Sequence, residues 1–214
     1  MNAHAPGNLQ SMQLAEVLDN ADPDGRGRIR VRLQSAPMEL WASVVAPSAG
    51  QGYGASFVPR QGEIVVVAFA TPDLALVLGS IWSGGDSRPG EADPQEEHYV
   101  IRTPSGTVME FDDGDDGPLF EVRTRSGYSI RITEGDSGEI RVERGSQKVT
   151  LTASGIQIDS SGPVDINASN VNISAGMVQV DAGMSKFSGV VQADTVIATS
   201  VVGSSYTPGA GNIW

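Results

Sequence analysis

Few residues in this chain of 214 are equipped for chemistry, and their arrangement argues against catalysis. The only histidines are His4 and His98, and there is no cysteine. Thiol chemistry and Cys-ligated metal are therefore excluded, and no disulfide framework supports the fold. No nucleophile motif accompanies either histidine, so catalysis of the kind a β-helical lyase or a muramidase performs would fall to carboxylates. Glu96, Glu97, Asp112 and Asp113 are the candidates, but they sit in loop-like acidic runs too numerous to single out an acid–base pair. Asp112, Asp113, Asp115 and Asp116 surround Gly114 with oxygen ligands, yet lack the ordered spacing of a calcium loop. Gly50, Gly52 and Gly54 fail as a phosphate loop, because a strand follows them instead of a helix and the first lysine is Lys148. They are better read as a tight bend in a barrel. No catalytic, cofactor-binding or metal-ligating residue is assigned, and the chain is read as non-enzymatic.

The charge excludes a second class. The net charge of −12 is divided as −2 over residues 1–85, −7 over 86–135 and −3 over 136–214. Nucleic-acid binding needs clustered Lys and Arg to displace counterions from phosphates, and no stretch supplies them. The acidic middle is a solvated surface. The N-terminal MNAHAPGNLQSMQ is polar, without the apolar core of a secretory signal, and no run approaches the length of a membrane helix. The expectation is synthesis and folding in the cytoplasm, without a signal peptide.

The elements that position these residues read as all-β. Gly (26) and Pro (12) are plentiful and aromatics are only 6%, which suits many short strands and turns better than packed helices. Residues 13–85 form a first domain. Leu14–Leu18 is a strand, and Asn20–Gly25 is dense turn chemistry. Arg28–Leu33 then alternates charged and apolar residues without a break, so the two strands make a hairpin. Trp41–Val45, Ser56–Val58 and Leu74–Trp82 are further strands. Ile64–Phe69 is continuously apolar and is expected to be buried on both faces. Five or six short strands in this space suggest a small closed barrel, which leaves no exposed edge. Residues 86–97, DSRPGEADPQEE, are polar and aperiodic and read as a linker.

Two repeats organise residues 98–203. Arg102–Phe111 aligns with Arg123–Ile132, with a weaker third copy at Arg144–Ala153, each 21 residues after the last. Each copy is a turn followed by an alternating strand: Thr107–Phe111, Tyr128–Ile132 and Lys148–Thr152. The period then shortens. Ile156/Ile158, Val164/Ile166, Val171/Ile173 and Val178/Val180 are apolar pairs two apart, at steps of 8, 7 and 7. Side chains two apart in an extended chain face the same side. Each pair is therefore a very short strand that cannot bury its face without stacked neighbours. A single chain coiled as a three-sided solenoid and three chains sharing one prism both satisfy this ladder.

Several segments resemble a known family. GRIRVRL at Gly27–Leu33, the long run from Trp41 to Asp86 (WASVVAPSAGQGYGASFVPRQGEIVVVAFATPDLALVLGSIWSGGD) and RTPSGTVMEFDD downstream are similar to the central spike proteins of contractile injection machines. These include phage baseplate assembly protein V, the spike part of VgrG proteins, and the spikes of pyocins and extracellular phage-tail-like particles. The resemblance covers about residues 13–155. It implies an N-terminal OB-fold barrel followed by an intertwined trimeric β-helix, the needle, and it implies partners: two further copies in a homotrimer, baseplate hub and tube proteins, a target cell envelope, and no nucleic acid. The hub region that precedes the barrel in VgrG proteins and the lysozyme domain of some phage spikes have no counterpart here. Nor does the His-x-His motif with which some short spikes hold iron at their tip. A separate PAAR-like tip protein is then implied, and residues 204–214, ending in Trp214, form a tail at the tip. Pro208, Gly209, Asn212, Ile213 and Trp214 are the candidate contacts for that cap. The alternative is an OB-fold binder of single-stranded nucleic acid or carbohydrate with a β-solenoid extension.

Overall fold

A computed structural model of the chain describes residues 12–85, 87–92, 96–114, 118–135 and 138–205. It is all-β, without an α-helix among the described residues, and it divides into two units after Val164. No described helix is long and apolar enough to cross a membrane.

The first unit begins with a closed barrel of five strands: β1 (Gln13–Asp19), β2 (Arg28–Leu33), β3 (Glu39–Val44), β6 (Ile64–Thr71) and β7 (Leu74–Ile81), in the order β1-β2-β3-β7-β6. All pairings are antiparallel except β3 with β7, and β6 closes onto β1. The alternation seen in the sequence places Ala15, Val17, Ile29, Val31, Leu33, Ala42, Val65, Val67, Ala75 and Val77 in the interior, all buried. The closed ring satisfies both edges of every strand. The β1–β2 turn is organised by Asp22. Its carboxylate accepts backbone N–H bonds from Asp24 (3.0 Å), Arg26 (2.9 Å) and Arg28 (3.1 Å). The Arg28 guanidinium also donates to both Asp22 oxygens, at 3.1 and 2.9 Å, and lies over the Trp41 ring.

Two local expectations are corrected. β6 is not buried on both faces: Val65 and Val67 are buried, but Ile64, Val66 and Ala68 are only half-buried. A small barrel fills one face of each strand with its own core, and the other face is only partly covered among the described residues. Ser56–Val58 is not a strand. The Gly-rich segment instead folds on itself as a two-residue hairpin, β4 (Ala49–Gly50) with β5 (Tyr53–Gly54). Gly52 takes a φ of +80°, which a side chain would strain, and a Cβ at Gly50 would overlap the Tyr53 ring across the hairpin.

The seven remaining strands form one antiparallel meander: β8 (His98–Arg102), β9 (Val108–Asp112), β10 (Leu119–Arg123), β11 (Tyr128–Thr133), β12 (Glu139–Arg144), β13 (Gln147–Thr152) and β14 (Gly155–Asp159), in sequence order across the sheet. The 21-residue repeat is a repeated hairpin. In the first two copies the same turn recurs: Thr103 N–H donates to the Thr107 carbonyl and Thr124 N–H to that of Tyr128, both at 2.8 Å. In both, the threonine Oγ1 accepts the returning N–H at 3.1 Å. Gly106 and Gly127 occupy equivalent left-handed positions, φ +90° and +84°. The third hairpin replaces this turn by the shorter Gly145-Ser146, which explains its weaker alignment.

The second unit carries no assigned strand, and the described residues 160–205 are without strand pairing. The paired residues are exposed, from 55% at Val171 to 74% at Ile166. A one-chain solenoid would pair successive rungs, and the single chain does not form one.

Candidate interaction surfaces

The meander has two chemically distinct faces. Opposed residues on adjacent strands share a face, so the register assigns every side chain. One face carries His98, Glu110, Asp112, Glu121, Arg123, Arg131, Glu139, Arg141, Glu143, Lys148 and Asp159. The other carries Tyr99, Ile101, Met109, Phe111, Phe120, Val122, Ile130, Ile132, Ile140, Val142, Val149, Leu151, Ile156 and Ile158.

The charged face is tied together by ion pairs. Arg123 bonds Glu110 at 2.8 Å and Glu121 at 2.6 Å. Glu110 is the one buried charged residue among those described, at 8% exposure, and Arg123 compensates it. His98 lies between two carboxylates, with Nδ1 3.4 Å from Glu110 and Nε2 3.1 Å from Asp112. A short 3-10 turn at Gly90–Ala92 lies against β8, with Glu91 bonded to Arg102 and 3.4 Å from Arg123. The Arg102 bond, foremost, holds the Glu91 carboxyl below its usual range. The segment read as a linker is thus pinned to the sheet through Glu91.

None of the residues weighed for chemistry forms a catalytic constellation. Asp112 is bound to His98 and to the Gly114 N–H, Asp113 is exposed, and Glu96 and Glu97 are exposed loop residues. His4, Asp115 and Asp116 lie outside the described residues, as do the cap candidates Pro208, Gly209, Asn212, Ile213 and Trp214. No group of three or more His, Cys, Asp or Glu among the described residues could hold a metal. An open cleft of about 950 Å³ is lined by Asn20, Arg60, Glu63, Ile64, Ser80, Ile81 and Trp82, and within it Ser80 Oγ donates to the Glu63 carboxylate at 2.9 Å.

The apolar face is what the single chain leaves unfinished. Tyr99 is 62% exposed, Phe111 and Ile130 45%, Ile156 72% and Ile158 61%. Phe111 and Phe120 stack at 4.9 Å, and their neighbours continue the surface across all seven strands. Contiguous apolar surface on this scale marks an interface. Strand alternation within each repeat predicted the two faces strand by strand. That all seven strands turn the same face to one side depends on the hairpin register, which the sequence does not print. The ion-pair network was also missed, because its members are distant in sequence and meet only across strands. The i, i+2 alternation of Glu121 with Arg123 and of Glu139, Arg141 and Glu143 was its one visible signal.

The barrel exposes Tyr53, Phe57 and Trp82, at 73, 67 and 67%. Most of the barrel's arginines are compensated: Arg28 pairs with Asp22 and Asp24, and Arg30 and Arg32 pair with Glu39, while Arg26 lines the cleft of Tyr53 and Phe57 and Arg60 that of Trp82. A stacking platform for single strands needs uncompensated cations beside its aromatics.

A closed five-stranded barrel is thus followed by a sheet with one apolar face left open. Residues 13–82 match the family model of the Type VI secretion system/phage-baseplate injector OB domain, which supports the resemblance to baseplate spike proteins. That family is a structural baseplate domain, which joins baseplate components. No curated protein matches the chain as a whole.

Proposed function

We propose that this chain is the structural, non-enzymatic central spike of a contractile injection machine: three copies assemble so that their meanders close a three-sided prism. The observation that carries this reading is the uninterrupted apolar face of β8–β14. Water cannot be its resting partner, whereas the opposite face is charged and carries an ion-pair network. Ile156 and Ile158, the first rung of the ladder, are registered against Leu151 and Val149 on that same face. The ladder then continues the apolar axis into a narrow β-helical needle, where neighbouring chains supply the strand pairing that one chain lacks. The resemblance to trimeric spikes selects three chains over two.

In this reading the barrel docks to baseplate hub and tube proteins, and sheath contraction drives the needle through a target envelope. A PAAR-like protein sharpens the tip, meeting the tail that contains Pro208, Gly209, Asn212, Ile213 and Trp214. The protein is made in the cytoplasm and assembles in a virion baseplate or phage-tail-like particle. Native mass spectrometry tests the core of the proposal: the expected species has three times the 22.4 kDa mass of the chain, and a monomer at micromolar concentration would refute it.

A further inference from the structure

The mouth of the barrel carries a polar cleft that assembly through the meander leaves unused. β6 pairs with β7 so that Val65 lies opposite Ser80 and Ile64 opposite Ile81. Val65 faces the core, and residues two apart share a side, so Glu63, Ser80 and Trp82 continue the inward-facing side beyond it. They line the open cleft of about 950 Å³ at that end of the barrel. Mouths of β-barrels are preferred places for ligands, and this volume lies within the usual range of ligand clefts. None of the lining residues comes from β2 or β3, the strands whose arginines are ion-paired.

The floor of the cleft is held in place. The turn before β6 is tied to β1 by two backbone bonds, Val17 N–H to the Glu63 carbonyl and Gly62 N–H to that of Val17, both 2.9 Å. Asn20 Nδ2 donates to the Pro59 carbonyl at 3.2 Å and fixes the same turn to the end of β1. Ser80 Oγ donates to one Glu63 oxygen at 2.9 Å, which leaves the other oxygen to accept. Trp82 lines the cleft with an indole that is 67% exposed. Arg60, also in the lining, makes no ion pair among the described residues.

These groups define the ligand by exclusion and by fit. One cation beside a carboxylate cannot track a run of phosphates, so a nucleic-acid strand is a poor occupant. A protein anchor seats in a well-packed, desolvated pocket, whereas Asn20, Gln61, Glu63 and Ser80 make this lining polar and open. A saccharide combines what remains: an apolar C–H face that stacks on an indole, and hydroxyls that both donate and accept. The unpaired Arg60 calls for an acidic substituent, because a guanidinium bonds a carboxylate or phosphate about twice as strongly as neutral groups bond each other. We propose that the barrel mouth binds a saccharide chain carrying an acidic group. One sugar ring stacks on Trp82, its hydroxyls are held by Glu63 and Gln61, and the acidic group meets Arg60. The site lies beyond the spike reading and needs only the barrel.

The acidic probes are trigalacturonic acid and 3′-sialyllactose, and lactose is the neutral counterpart of the second. Isothermal titration of the full-length protein should show millimolar or tighter binding of an acidic probe and weaker binding of lactose. Trp82→Ala should weaken the acidic probe at least about tenfold, the loss of one good contact, with melting temperature and native mass unchanged. Arg60→Gln should bring 3′-sialyllactose down to the level of lactose. Absence of binding by both acidic probes at millimolar concentration overturns the proposal, as does binding indifferent to Trp82→Ala. A single-stranded oligothymidylate that binds more tightly than the sugars, and is lost with Trp82→Ala, also overturns it and assigns the mouth to nucleic acid. Native mass on the same samples keeps the two proposals apart: a monomer that binds sugar removes only the assembly, and a trimer that binds none removes only the site.

Discussion

Ile130→Asp tests whether the apolar face of the meander is an assembly surface. Ile130 lies on β11, opposite Val142 of β12, in the interior of the sheet and with neighbours on both sides. In the single chain 45% of it remains exposed, so close to half of its burial waits for another copy. Full burial of such a side chain is worth about 1.5–3 kcal/mol, which leaves about 1 kcal/mol per chain to be gained on assembly. Three chains lose about 3 kcal/mol together, equivalent to roughly a hundredfold in the dissociation constant of the trimer. The introduced carboxylates add to this, because three of them would converge in an apolar interior and desolvation costs several kcal/mol per ion. At least a hundredfold weakening is therefore expected, read by analytical ultracentrifugation across a dilution series. Arg131→Ser, one residue away on the charged face, is the control and should leave the dissociation constant unchanged. The barrel shares no core residue with this position, so its thermal transition should persist in the dissociated chain. Ile130→Asp that assembles as tightly as the unmodified protein would refute the assignment of this face, whatever the mass of the assembly.

The barrel supplies two further tests. Ile29→Ala empties a fully buried position and should cost about 2–5 kcal/mol by denaturant unfolding, whereas Ile64→Ala on the half-buried outer side should cost clearly less. Asp22→Asn removes the charge that gathers the β1–β2 turn, and the melting temperature at pH 7 should fall. The Arg28 hydrogen bond, foremost, holds the Asp22 carboxyl well below the usual carboxylate range. Its stabilisation is thus present above the unfolded-state pKa near 3.9 and is lost as pH falls through the lower folded value. Thermal melts should accordingly converge for the two proteins in strong acid. Glu91→Gln should release the 3-10 turn from Arg102 and Arg123, raising amide exchange around residues 87–92 without altering native mass.

What could be read from residues alone followed the range of the interactions involved. The barrel strands announced themselves because Arg28–Leu33 and its neighbours alternate locally, and a closed ring is the economical way to pair short strands. β6 misled for the same local reason: an apolar run does not say which of its faces is fully covered, and Ile64, Val66 and Ala68 are only half-buried. Gly50 to Gly54 showed a bend but not its form, since the hairpin depends on Tyr53 crossing over Gly50. The 21-residue spacing was visible as sequence, while its meaning as a hairpin unit required the paired turns at Thr103 and Thr124. The charged network around Glu110 and Arg123 joins residues 13 apart through strand register and left only a faint trace.

The ladder from Ile156 onward makes the physical point from the opposite direction. Its periodicity is the clearest pattern in the sequence, yet the isolated chain forms one rung of it, β14, and stops. That rung exists because β13 offers a neighbour with Val149 and Leu151 in register. From Val164 on, no adjacent segment of the same chain offers one. Two apolar residues per rung cannot offset the conformational entropy of ordering seven, which costs on the order of 1–2 kcal/mol per residue. In the proposed assembly, order in this region comes from association, with each rung gaining strand pairs and an apolar axis at once. The same argument makes the transition steeply cooperative in chain number. A spike of this design should be rigid as an assembly and unstructured along its needle as a monomer, so its stiffness is a property that no single chain possesses.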